Sequence, residues 1–157
     1  MSTDPRPRTY AVLGLLTYFH AFPDEVMGKY CLVEATVPKG LGAPPNHHAG
    51  ETEAFIILDG EVEFMVNGET MTARAGDYVP VPDGAVHAFT AVSEEPARML
   101  ILNAPGTMHD RFFTTIGEVL PEGTSEPPPP AGPPDVAAVM AAAAEVGMTV
   151  VPPPMPA

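Results

Sequence analysis

The residues of this chain able to do chemistry gather in two stretches, Asn46-His47-His48 with Glu51 and Glu53, and His87 farther along. Side chains alternate across a β-strand, so on a strand Asn46 and His48 share one face and His47 points to the other. Glu53 follows a turn at Ala49-Gly50 and opens the next strand. That strand is expected to run antiparallel to the first and return Glu53 to the neighbourhood of His48. His87 follows a turn at Asp83-Gly84 and is expected to arrive from a separate hairpin. Two imidazoles and one carboxylate suit Fe, Mn, Ni, Co or Zn. Positions left open on such an ion would admit a bidentate ligand or O₂. His48, His87 and Glu53 are also the candidates for acid–base work, with Asn46 as a hydrogen-bond donor to a substrate carbonyl or oxyanion.

The remaining candidates have plainer readings. His47 joins the set only if a bulge turns it inward. Glu51 reads as a solvated turn residue, and His109 as a surface group at the N-terminal end of a helix. His20, beside Tyr18 and Phe19, reads as lining a barrel mouth or a subunit contact. Cys31 lies in the alternating run Tyr30-Cys31-Leu32-Val33 and reads as a small core residue.

The elements that must position these groups are short strands. Tyr30–Val37, Ala54–Leu58, Glu61–Val66, Tyr78–Val81 and Arg98–Leu102 alternate apolar and polar residues between turn signals, the pattern of an all-β sandwich or barrel. Asp59-Gly60 and Asn67-Gly68 read as tight hairpin turns. Phe55 and Ile57 share parity with Glu53, and Phe89 with His87, so these three are expected to face the interior and line a substrate pocket. After Pro105 the period changes. His109–Val119 has apolar residues at helical spacing, and Val136–Val146 forms a second helix between Asp135 as N-cap and Gly147 as stop. Its expected apolar stripe is Val136, Val139, Met140, Ala143 and Val146. The organisation is then a polar lead at 1–9, a barrel with its short helix at 10–120, a Pro-rich linker at 121–134, and a helix with a tail at 135–157.

Composition narrows the partners. The chain has 157 residues, 45% of them hydrophobic, which is one domain with one core. Its net charge is −13, from 20 acidic and 7 basic residues, so a nucleic-acid backbone or an anionic membrane surface would be repelled. No apolar run approaches the ~20 residues of a membrane span, and the first residues lack the layout of a secretory signal. A cytoplasmic protein with a small-molecule substrate is expected. One cysteine excludes an intrachain disulfide.

The spacing of the two stretches resembles the bipartite signature of the cupins. Gly40, five residues, Asn46-His47-His48, four residues, Glu53, six residues and Gly60 follow its first half. Gly76, five residues, Pro82-Asp83-Gly84, two residues, His87, three residues and Ala91 follow its second. The resemblance spans roughly residues 28–105 and implies a double-stranded β-helix, a jelly-roll barrel, here with short C-terminal helices. The wording Pro44-Pro45-Asn46-His47-His48 to Gly60, with Asp110-Arg111-Phe112-Phe113 after the barrel, is most similar to the quercetin-dioxygenase-like group. Members of that group bind a divalent metal through three His and one Glu, which implies His48, Glu53 and His87 as ligands here. Two positions depart from the pattern. Asn46 stands where the first His belongs, and Ala91 where a terminal Asn belongs. An amide oxygen is a poor ligand for the softer divalent metals.

The resemblance implies a metal-dependent enzyme, a dioxygenase first, acting on an apolar oxygenated molecule of aromatic or polyketide type. The alternatives are a cyclase, isomerase or dehydratase, or a binding module without activity. Exposed sheet edges need covering, so a homodimer is expected.

Overall fold

The computed structural model describes residues 4–129 and 131–151. The first three residues of the expected lead, Pro130 of the linker and the tail from 152 onward lie outside them. The strands are β1 (Thr9–Val12), β2 (Leu15–Ala21), β3 (Cys31–Val37), β4 (Gly42–His48), β5 (Thr52–Asp59), β6 (Glu61–Val66), β7 (Glu69–Arg74), β8 (Tyr78–Val81), β9 (His87–Ala91), β10 (Ala97–Ala104), β11 (Glu118–Val119) and β12 (Met148–Val150). Helix α1 (Thr107–Ile116) follows β10, and α2 (Val136–Val146) precedes β12.

Two antiparallel sheets face each other. One has the order β11-β1-β2-β3-β10-β5-β8, the other β12-β4-β9-β6-β7. Strict alternation fills the space between them. Cys31, Val33, Ala35 and Val37 of β3 and Ala97, Met99 and Ile101 of β10 all point inward and are buried. The closed end is packed by Phe55, Phe64 and Phe89, with ring centroids 4.9 to 6.0 Å apart. Phe55 and Ile57 belong to this packing.

Three of the expected turns are sheet-to-sheet corners, and one of them, Asp59-Gly60, had read as a hairpin turn. β5 pairs with β10 and β8 but not with β6, so Asp59-Gly60 carries the chain across the sandwich. Ala49-Gly50 does the same between β4 and β5, and Asp83-Gly84 between β8 and β9. Only Asn67-Gly68 of these turns closes a hairpin, β6–β7. A positive-φ glycine permits a reversal but does not choose which strand accepts the hydrogen bonds. At Gly60 (φ 79°) the corner also needs the missing side chain, because a Cβ there would lie 2.9 Å from the Cα of Ala97.

The C-terminal part closes one end. Asp135 caps α2 by accepting from Ala138 N at 3.0 Å, and Gly147 ends it in the left-handed conformation. The buried face matches the expected stripe in part: Ala143 is buried and Val139 and Val146 pack against the same cluster, but Ala142 joins them, while Val136 and Met140 are exposed. Small residues let α2 lie close against α1, where Phe112, Ala142, Ala143 and Met148 form a second apolar cluster. β12 then extends the smaller sheet by pairing with β4, Met148 opposite His48.

Candidate metal centre

His48 ends β4, Glu53 lies on β5 and His87 opens β9, so the three come from both sheets and meet inside the barrel. Each is less than a tenth exposed. Glu53 Oε2 lies 3.0 Å from His48 Nε2 and 2.9 Å from His87 Nε2. The three possible ligand atoms all lie within 4.8 Å of one another. Proximity comes from strands facing across the barrel, not from the expected pairing of β4 with β5.

The backbone sets the ring orientations. His48 Nδ1 donates to Glu51 O at 3.1 Å, and His87 Nδ1 donates to Ala85 O at 2.8 Å. A carbonyl oxygen only accepts, so Nδ1 carries a proton; without a metal Nε2 donates to Glu53, and a ring that gives up that proton turns its Nε2 lone pair to the cluster. Metal-ligating histidines are held in this way. Two ligand atoms each about 2.0–2.2 Å from one ion stand roughly 3 to 4 Å apart, which the two Glu53 distances match. Asn103, opposite Glu53 on β10, is fully buried, and neither of its amide atoms finds a protein partner among the described residues. Donor types, geometry and ring orientation fit a divalent cation.

Asn46 faces inward as expected, but its amide is already engaged. Nδ2 donates to Pro44 O at 2.9 Å and to His87 O at 3.3 Å. Those bonds consume the donor that a substrate oxyanion would need, leaving Oδ1 as the atom it can offer. β4 is irregular between Ala43 and Asn46, and His47 keeps its outward parity, opposite Thr149 of β12. His20 also points outward, 3.1 Å from Glu34.

Two readings of the sequence are corrected. Glu51 is not a solvated turn residue and His109 is not a surface group; they are 2% and 3% exposed. Glu51 turns into the protein and accepts from the backbone N–H of Gly106 (2.9 Å), Met108 (3.1 Å) and His109 (3.2 Å), the start of α1. It also accepts from His109 Nδ1. His109 Nε2 thereby lies 3.5 Å from Glu53 Oε2, its ring 4.7 Å from that of His48. The sequence signal was present: a carboxylate beside the motif and a lone His in the first turn of an amphipathic helix. Nothing local connected them.

The charges are mutually set. Burial alone would raise the Glu53 carboxyl. The positive field of His109 and the hydrogen bonds from His48 and His87 outweigh it, holding Glu53 ionised far below the ordinary range. Glu51 is likewise lowered: burial is outweighed by His109 and the α1 amides. His87 is raised, since its bond to Glu53 overcomes the effect of burial.

Above the cluster opens a largely apolar cavity, lined by Leu15, Phe89, Phe112, Phe113, Val139 and Met148 among others, with Asn46, Glu53, His87 and His109 supplying polar groups. Of the three expected pocket residues only Phe89 lines it. Phe55 and Ile57 lie in the packed core, because two-residue parity places a side chain inside without saying at what depth. Residues on α1, α2 and β12 contribute to the lining in their place.

A closed jelly roll with imidazole and carboxylate donors converging inside it defines a cupin-type pocket. Residues 33–103 match the Cupin_2 family, and this stretch is a cupin domain. The chain is 29% identical over 91 residues to a quercetin 2,3-dioxygenase of Bacillus subtilis (strain 168). Those residues are 58% of this chain and 26% of that protein, so the chain spans about a quarter of the length of that relative. A predicted oxalate decarboxylase of Thermotoga maritima superposes with a TM-score of 0.57 at 21% identity, covering 66% of this chain and 96% of that one. The polyketide cyclase RemF of Streptomyces resistomycificus does so with a TM-score of 0.54 at 16% identity, covering 67% and 80%. Both likenesses concern the fold. Among the described residues no helix is long and apolar enough to cross a membrane.

Proposed function

We propose that this protein is a metal-dependent cupin enzyme acting on an apolar, oxygenated small molecule of aromatic or polyketide type, most simply as a dioxygenase. The observation that carries this reading is the convergence of His48, Glu53 and His87, with Glu53 and His87 lining a largely apolar cavity. These residues would hold one Fe, Mn, Ni, Co or Zn ion, which supplies Lewis acidity toward a substrate oxygen and, for a redox metal, access to O₂. The protein's own part is orientation and exclusion of water. Phe112, Phe113 and Val139 enclose the carbon skeleton, so that its oxygenated edge meets Glu53 and His87. Glu53 is too strongly held in its ionised form to serve as an efficient base, and acts as the anionic donor. The likeness to the quercetin dioxygenase supports the oxygenase reading. The likeness to a polyketide cyclase concerns the fold, and the cyclase alternative lacks the Asn46 donor it would use.

A homodimer is part of the proposal. The outer face of the larger sheet exposes Ile56 and Leu102 on neighbouring strands, and light scattering of the purified chain would report the mass.

The test is metal analysis of freshly purified protein, followed by oxygen-uptake assays over a flavonol and polyketide panel. About one equivalent of metal is expected, with turnover that His87→Ala abolishes. No turnover with any of Fe, Mn, Ni or Co across the panel would overturn the reading. Turnover without oxygen would transfer it to the cyclase or isomerase class.

A further inference from the structure

The position at which the motif lacks a histidine is filled by Asn46, and its amide nitrogen is tied to Pro44 O and His87 O. A histidine from outside the motif reaches the same cluster. His109, in the first turn of α1, is 3% exposed and directs Nε2 to within 3.5 Å of Glu53 Oε2. The Glu53 oxygen therefore meets three imidazole Nε2 atoms, at 2.9, 3.0 and 3.5 Å.

We propose that His109 is the third imidazole ligand of this pocket, completing a three-histidine, one-glutamate metal site with a donor supplied by the helix after the barrel. The proposal rests on the reading that the cluster takes a metal. Two further features support it. All three separations from Glu53 Oε2 fall in the range of roughly 3 to 4 Å expected for atoms bound to one ion; the ligand atoms that all lie within 4.8 Å of one another are those of His48, Glu53 and His87, so His109 Nε2 must draw closer to the other two imidazoles when the ion binds. His109 is also held as metal-ligating histidines are, its Nδ1–H donating to the Glu51 carboxylate and its Nε2 left for the ion. The plainer alternative makes His109 only a counter-charge packed between Glu51 and Glu53. That role does not require Nε2 as a ligand, and the two can be separated by experiment.

In this arrangement Glu51 is a positioning residue. Its carboxylate accepts from the first amides of α1 and from the ring that α1 carries, so the helix is docked and the donor aimed by one side chain. With the third donor on α1 rather than β4, Asn46 is left as part of the cavity lining.

The test titrates metal-free protein with Co²⁺ alone and reads the visible absorption and the dissociation constant. Wild type is expected to bind one equivalent. His109→Ala should lose at least tenfold in affinity and change its spectrum, and adding Asn46→His to that variant should restore both. X-ray absorption of Zn²⁺-loaded wild type, which needs no variant to fold, should count three imidazoles. Two imidazoles, or unaltered affinity and spectrum in a folded His109→Ala protein, would overturn the proposal while leaving the metal reading intact. If wild type bound none of Co²⁺, Zn²⁺, Fe²⁺, Mn²⁺ or Ni²⁺, the metal reading would fall, and this inference with it.

Discussion

Glu51 and His109 stand 58 positions apart, yet the Glu51 carboxylate accepts both the backbone N–H and the ring Nδ1–H of His109. One buried side chain thus joins the turn after β4 to the start of α1. Removing it would leave the amides of Gly106 and Met108 without that partner as well. Orphaned buried donors are costly, so Glu51→Ala should lower stability by about 3 kcal/mol and Glu51→Gln by about half of that. Urea unfolding of the metal-free proteins would measure both. A loss within error of zero for Glu51→Ala would contradict the docking role.

Metal-free protein should show a pH dependence set by Glu53 and His87. Glu53 is lowered from 4.5, so its contribution to stability is present above 4.5 and lost as the pH falls below it. His87 is raised from 6.5, so its contribution is complete below 6.5 and lost as the pH rises through the folded value. The pair therefore stabilises most between 4.5 and 6.5. Glu53→Gln should flatten the melting-temperature profile across that window, and an unchanged profile would show that the pair is not its source.

Metal uptake should release protons, because the His87 ring must be neutral to bind. Apparent Co²⁺ affinity is expected to rise on the order of tenfold per pH unit until His87 is fully deprotonated, then level off. Titrations in two buffers of different ionisation enthalpy would count the protons. Uptake with no proton release below neutral pH would be inconsistent with the raised His87.

Cys31 should be inert. Burial pushes its thiol up to about 12, and only the thiolate reacts. Disulfide reagents at pH 8 should leave native protein unlabelled and label it fully in denaturant. Its contribution to stability is complete below the ordinary value of 9.0 and lost as the pH climbs toward 12. Labelling of native protein within minutes at pH 8 would argue that β3 opens readily.

The two apolar clusters should respond separately. Phe112 packs with Ala142, Ala143 and Met148 rather than in the main barrel core. Phe112→Ala is expected to cost about 3 kcal/mol. Hydrogen exchange should quicken in α2 and β12 while β3, β5 and β10 stay protected. Uniform loss of protection would mean that barrel and roof unfold as one unit.

Much of this protein could be read from its sequence because the signals were local. Alternation with period two placed Cys31, Phe55, Ile57 and Phe89 inside, and glycine and asparagine turns marked the chain reversals. The spacing of His48, Glu53 and His87 marked three side chains that the folded chain brings into contact. Tertiary structure alone decided which strands pair, since Asp59-Gly60 serves a sheet-to-sheet corner as readily as a hairpin. It placed Phe55 and Ile57 beneath the cavity, and it engaged the Asn46 amide with backbone carbonyls. It also turned Glu51 and His109 from apparent surface groups into a buried pair whose histidine reaches Glu53. The physical reason is common to these cases. Periodicity and turn chemistry act between residues a few positions apart. Burial, tautomer and charge at the cluster depend on where α1 lands, and that is settled by packing and by hydrogen bonds across more than fifty residues.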